Sequence, residues 1–135
     1  MNLILKAPIA FILIFMLHSF GVKSQPEFPS DLKNAFIEGN SEQIAGFFGR
    51  NIELMLLDKG DVYSKAQAQL IMQNFFANNT PEKFTIESES AEDNINYAVA
   101  LLETRRTNYR IFIAYRKNNK KTVVNQMVIS EVVEE

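Results

Sequence analysis

Apolar residues follow two periods along this chain. From Asp31 to Phe76 they recur at intervals of three and four, and from Phe84 to Glu131 they alternate every second residue. The first period belongs to helices with one buried face and the second to half-buried strands. Asp31–Glu38 is read as a short helix with Leu32, Ala35 and Phe36 on one face and Gly39 as its C′ residue. Ser41–Phe48 follows as a second, with Asn40 as its cap, Gln43 three residues later, Ile44, Phe47 and Phe48 as the stripe, and Gly49 as its end. Asn51–Leu57 is a strand with Ile52, Leu54 and Leu56 on one side. Asp58-Lys59-Gly60-Asp61 then reads as a turn in which Gly60 takes the position with positive φ.

Ser64 opens a third helix, and Gln67 completes an S-x-x-Q capping box. Its apolar positions Ala68, Ile71, Met72, Phe75 and Phe76 form a stripe one face wide, and Asn78, Asn79 and Pro81 stop it. Four strands complete the chain: Phe84–Ser90, Ile95–Thr104, Tyr109–Arg116 and Thr122–Glu131. The expected order is thus α-α-β-α-β-β-β-β. It is an α+β layout in which N-terminal helices pack on one face of a strongly curved antiparallel sheet. Phe36, Phe47, Phe48, Phe75 and Phe76 imply a thick apolar layer between helices and sheet.

The segment before this domain changes the compartment. Lys6 precedes an apolar run from Ala7 to Phe20, and Val22-Lys23-Ser24 presents modest side chains ahead of Gln25. This is the layout of a signal peptide over residues 1–24, leaving one domain over 25–135. A membrane span needs roughly 20 apolar residues, and Pro8 and His18 interrupt a shorter run. No Cys follows the run, so a lipid anchor on cysteine is excluded. The expected product is exported, periplasmic or secreted in a Gram-negative bacterium, with no stable membrane association after cleavage. Losing Lys6 and Lys23 from 14 basic residues leaves 12 against 16 acidic ones, a balance that argues against nucleic acid as a partner. The sole histidine, His18, lies in the leader, and cysteine is absent. Serine–histidine and cysteine–histidine catalysis, and the usual zinc sites, therefore lack their side chains. No metal or cofactor is expected.

The hairpin of helices ending GNSEQIAGFFG and the segment NIELMLLDKGDVYSKAQAQLIMQNFF resemble the nuclear-transport-factor-2-like (cystatin-like cone) superfamily. More narrowly, Val62-Tyr63-Ser64-Lys65-Ala66-Gln67-Ala68 is similar to a motif of a short secreted bacterial family, domain of unknown function 4783. The resemblance spans about residues 28 to 131 and implies a cone-shaped domain that dimerises through the outer face of its sheet. It supplies no activity, because the fold hosts enzymes, ligand-binding modules and assembly domains alike.

Candidate chemistry is sparse. Asp58 stands where steroid-isomerase members of the superfamily carry a carboxylate base, but Phe36 occupies the helix from which an oxyanion-stabilising tyrosine would come. As a turn residue Asp58 needs no catalytic role. Tyr109, Ile111, Ile113 and Tyr115 share one face of a strand, and Arg110, Phe112, Ala114 and Arg116 share the other. If the second face lines the cone, Arg110 or Arg116 would receive an anionic ligand, with Phe112, Asn125, Met127 and Tyr63 beside it; otherwise the arginines reach into solvent. Glu87, Glu89, Glu92 and Asp93 cluster without the spacing of a calcium loop, and Asn78-Asn79-Thr80 matches a glycosylation sequon at a helix stop. The reading that follows is a non-catalytic module binding a small apolar or anionic ligand or another protein, the latter including a second copy. The alternative is an isomerase- or lyase-like enzyme with Asp58 as general base.

Overall fold

The structure is a computed structural model and describes residues 26–133. The expected signal peptide, its cleavage point before Gln25 and the last two residues of the acidic tail lie outside the described residues. Among the described residues, three helices and six strands follow in the order α1 (Ser30–Glu38), α2 (Ser41–Gly46), β1 (Phe48–Leu56), β2 (Lys59–Ser64), α3 (Lys65–Asn78), β3 (Pro81–Glu92), β4 (Ile95–Thr104), β5 (Asn108–Asn118) and β6 (Lys121–Glu131). The sheet runs β2-β1-β6-β5-β4-β3. All neighbours are antiparallel except β1 and β6, which pair in parallel. The expected α+β architecture is present, with two additions: strand β2 and the parallel pair.

The local devices that shape the helices are those the residues suggested. Gly39 ends α1 at φ 63°, where the N–H of Gly39 donates to Phe36 O at 3.1 Å and that of Asn40 to Ala35 O at 2.9 Å. A side chain at Gly39 would also approach Pro81 Cδ to 3.2 Å. Asn40 Oδ1 accepts the Gln43 N–H at 3.0 Å to start α2. Ser64 and Gln67 form the reciprocal capping box of α3. The second helix is shorter than its apolar stripe implied. It ends at Gly46, and Phe47 O already accepts the Val124 N–H at 2.7 Å, so the chain enters the sheet at Phe48. Gly49 is therefore a strand residue rather than a helix stop.

The turn before α3 also differs. Leu56 pairs with Lys59, so the two-residue loop is Leu57-Asp58, with Leu57 itself at φ 57°. Gly60 lies within β2 directly opposite Met55, and a Cβ there would meet Met55 side-chain atoms at 3.1–3.2 Å. Glycine is used for cross-strand clearance, not for a left-handed turn. The other tight hairpins are two-residue turns with positive φ at both positions, Asp93-Asn94 and Asn119-Lys120.

The inner face of the sheet carries rows that run across the strands. Phe84, Leu102 and Tyr109 form one, and Ile86, Ala100, Ile111 and Ile129 form the next. The helices close over this face. Leu32, Ala35 and Phe36 of α1, Ile44 and Ala45 of α2, and Ala68, Met72, Phe75 and Phe76 of α3 are all buried. Phe36 stacks parallel on Phe84 at 4.7 Å, and Phe75 meets Tyr109 edge-on at 4.9 Å. Register shifts in β1, β3 and β6 bend the sheet around this layer.

Candidate functional site

The sequence-derived candidates do not converge. Asp58 lies in the exposed β1–β2 turn at the rim of the sheet, with no enclosing walls and no second proton donor bonded to it among the described residues. Tyr63, opposite Ile52 on β2, is half-buried and packs against the core from the edge. Strand β5 turns its Tyr109–Ile111–Ile113–Tyr115 face inward, so Arg110, Phe112 and Arg116 stand on the outer face of the sheet.

Arg110 Nε donates to Glu87 Oε1 at 2.9 Å, and this bond raises the guanidinium pKa above its ordinary value. Phe112 stacks with Tyr97 at 5.8 Å. Asn125 and Met127 share parity in the sequence but not a face in the structure. Ala114 pairs with Gln126 and Tyr115 with Val124, leaving Asn125 as the extra residue of a bulge that is exposed, whereas Met127 is fully buried. A bulge reverses the alternation that parity arguments assume. Arg116 and Asn125 do meet, together with Glu53, Ile95, Tyr97 and Gln126, around an open hollow of about 390 Å³ on the outer face.

The acidic hairpin is likewise divided. Glu87 is engaged by Arg110, while Glu89 accepts the Phe28 N–H at 2.6 Å. Asn79 is buried, so the second residue of the Asn78-Asn79-Thr80 sequence serves the interior. Its Nδ2 donates to Phe75 O at 2.9 Å, and its Oδ1 accepts the Tyr109 hydroxyl at 2.7 Å. Burial raises the Tyr109 pKa, with Glu131 adding to the effect and Arg106 opposing it. This network closes the C-terminus of α3 against β5.

The interior of the cone is occupied by the protein's own side chains. Phe28, Phe36, Phe84 and Tyr115 pack in contact at its β3–β5 side. Tyr115 is fully buried, and its hydroxyl has no hydrogen-bond partner among the described residues. Burial, reinforced by the Glu89 carboxylate, pushes its pKa up to about 12. The sequence pattern singled out neither Phe28 nor Glu89: Phe28 precedes the first helical stripe, and Glu89 was grouped only with Glu87, Glu92 and Asp93. The available signal was an aromatic residue set between Pro26 and Pro29, where a segment left wholly to solvent has no use for one.

What the outer face offers is a broad apolar surface. Met55 is 44% exposed, and Tyr97, Val99, Leu101, Phe112 and Val128 are each partly exposed around it on β4, β5 and β6. Phe112 lies opposite both Val99 and Val128, and Val128 lies opposite Met55, so the residues form one band across four strands.

Comparison with known proteins places this architecture. No curated protein matches the chain. Among solved structures, a DUF4783 family protein from Bacteroides ovatus is 23% identical, with a TM-score of 0.74 over 80% of this chain and 98% of its own. A DUF4783 family protein from Bacteroides uniformis is 27% identical, with a TM-score of 0.73 over 80% of this chain and 100% of its own. At 10% identity the fold alone is shared with a nuclear-transport-factor-2-like protein of unknown function from Silicibacter pomeroyi, TM-score 0.56 over 76% of this chain and 87% of its own. The family model described as domain of unknown function (DUF4783) matches residues 29–130. With that model covering all three described helices and every described strand residue except Glu131, the chain belongs to the DUF4783 family, on a nuclear-transport-factor-2-like, cystatin-like fold.

Proposed function

We propose that the protein is a non-catalytic interaction module that pairs with a second copy of itself through the outer face of its sheet. The observation that carries this reading is the band formed by Met55, Val128, Phe112 and Val99, continued by Tyr97 and Leu101. Sheet faces left to water ordinarily alternate apolar-in with polar-out. Here both faces of the central strands are apolar, which fits a sheet covered on both sides. The four strands of the band, each about 4.8 Å wide and roughly 30 Å long, present a face of about 600 Å², and the flanking strands bring it towards the roughly 800 Å² per partner of a standard interface. The Arg110–Glu87 pair and Glu53 lie among the polar residues flanking the band, as the rim of such an interface requires.

The reading disfavours general-base chemistry at Asp58, since an exposed turn offers a carboxylate neither desolvation nor a partner for developing charge. It includes export, with the leader removed before Gln25, which N-terminal sequencing of the protein recovered from the periplasm and the medium checks. The direct test of pairing is multi-angle light scattering on the mature chain and on Phe112→Glu. A dimer that the substitution converts to folded monomer supports the proposal, and a monomeric parent at high concentration refutes it.

A further inference from the structure

Residues Pro26–Pro29 belong to no helix or strand, yet Phe28 is only 7% exposed. Its ring meets Tyr115 edge-on at 5.7 Å and Phe84 at a tilt at 6.0 Å. Two polar bonds hold the flanking backbone. The Phe28 N–H donates to Glu89 Oε1 at 2.6 Å, and Lys117 Nζ donates to the Glu27 carbonyl at 2.8 Å. Open space of about 410 Å³ borders the segment, between Asp31, Phe47, Lys120 and Thr122. No strand pairing passes through residues 26–29, and this strap joins the fold where the Pro29 carbonyl accepts the Lys33 N–H at 3.0 Å to start α1.

The groups beneath the strap are unusual for a packed core. Glu89 lies opposite the buried Ala98, which places a carboxylate on the inner face. Tyr115 carries a fully buried hydroxyl with no hydrogen-bond partner among the described residues, and its ring meets that of Phe28 edge-on. Phenylalanine at position 115 would fill the same volume without an unpaired donor, and buried tyrosines ordinarily find a partner.

We propose that the space filled by Phe28 is a binding slot for an aromatic residue of a peptide, now occupied by the protein's own strap, with Glu89 accepting the ligand's backbone N–H and Tyr115 donating to its carbonyl. Phe28 is the template for two of the three contacts, the ring between Phe84 and Tyr115 and the N–H on Glu89. The Tyr115 hydroxyl is the contact that the strap leaves unused, and an incoming residue that satisfies it gains a hydrogen bond the resident occupant lacks. The slot is independent of pairing through the outer face, since every residue in it lies on the opposite side of the sheet or in the strap.

The test is a nuclear magnetic resonance titration of the mature chain with N-acetyl-phenylalaninamide. Phe28→Ala is expected to bind this probe at least tenfold more tightly than the parent, and N-acetyl-alaninamide no better than the parent does. Adding Tyr115→Phe to Phe28→Ala is expected to weaken binding at least fivefold, an effect that a mere hole in the core would not show. Equal affinity of Phe28→Ala and the parent, or indifference to Tyr115→Phe, overturns the proposal. Should Phe28→Ala fail to fold, hydrogen exchange on the parent decides. The Phe28 amide is expected to exchange at least 100-fold faster than the central amides of β5, and equal protection refutes a displaceable strap.

Discussion

Replacing Asn79 with alanine probes the joint between α3 and the sheet. Asn79 is 6% exposed and makes two hydrogen bonds, accepting from the Tyr109 hydroxyl at 2.7 Å and donating to Phe75 O at 2.9 Å. Each such bond contributes about 1 kcal/mol net, but a buried group left unpaired costs about 1–3 kcal/mol. The Tyr109 hydroxyl would be stranded, because Tyr109 is 5% exposed and sits under the Phe75 ring. Asn79→Ala is therefore expected to lower stability by about 2–4 kcal/mol, read from urea unfolding followed by circular dichroism. Tyr109→Phe removes one donor and strands only Asn79 Oδ1, so it should cost about 1–2 kcal/mol. In the double variant neither partner remains to be stranded, and the combined loss should fall short of the sum by about 1 kcal/mol or more. A loss below about 0.5 kcal/mol for Asn79→Ala, or strict additivity, would refute the reasoning.

Two further changes test other parts of the fold. Tyr115 has its pKa raised to about 12 by burial and by Glu89, so the folded state holds its proton while the unfolded chain releases it near 10.0. Stability from this group is complete below pH 10.0 and is lost as the pH climbs towards about 12, a decline that Tyr115→Phe should reduce in urea titrations across that window. Leu57 holds a left-handed backbone at φ 57°, is 45% exposed, and donates its N–H to Ile129 O at 2.8 Å, a bond that glycine keeps. Leu57→Gly is expected to raise stability by about 0.5–1 kcal/mol, the relief of left-handed strain less the entropy of an added glycine. A drop in the urea midpoint would show instead that the leucine side chain packs on the turn.

How much of this was legible in the sequence depended on the range of the interaction that decides each feature. The caps at Asn40 and Ser64 and the Gly39 terminus are set by residues within five of one another, and all three stand as the motifs implied. The inward stripe of α3 was equally clear, because its apolar spacing has one reading. Strand β2 was not legible. Lys59–Ser64 is mostly exposed and contains glycine and aspartate, residues that favour turns, and it becomes a strand only because β1 offers it an edge.

The outer placement of Arg110 and Arg116 turned on which face of β5 the helices cover, a tertiary choice between two faces that are both apolar in part. Asn125 and Met127 were grouped by parity, and a single bulge against Ala114 and Tyr115 separated them. Phe28 escaped notice because its partners Glu89 and Tyr115 lie 61 and 87 positions along the chain, beyond any local pattern.

The central claim, that the apolar outer face joins two copies, is tested most directly by the mass of the mature chain in solution. Multi-angle light scattering across a hundredfold range of concentration is expected to give twice the chain mass for the parent. For Phe112→Glu, which places a charge opposite both Val99 and Val128, it should give a single chain mass with an unchanged circular dichroism spectrum. A parent that remains a monomer throughout, or a Phe112→Glu dimer as tight as the parent, would contradict the account.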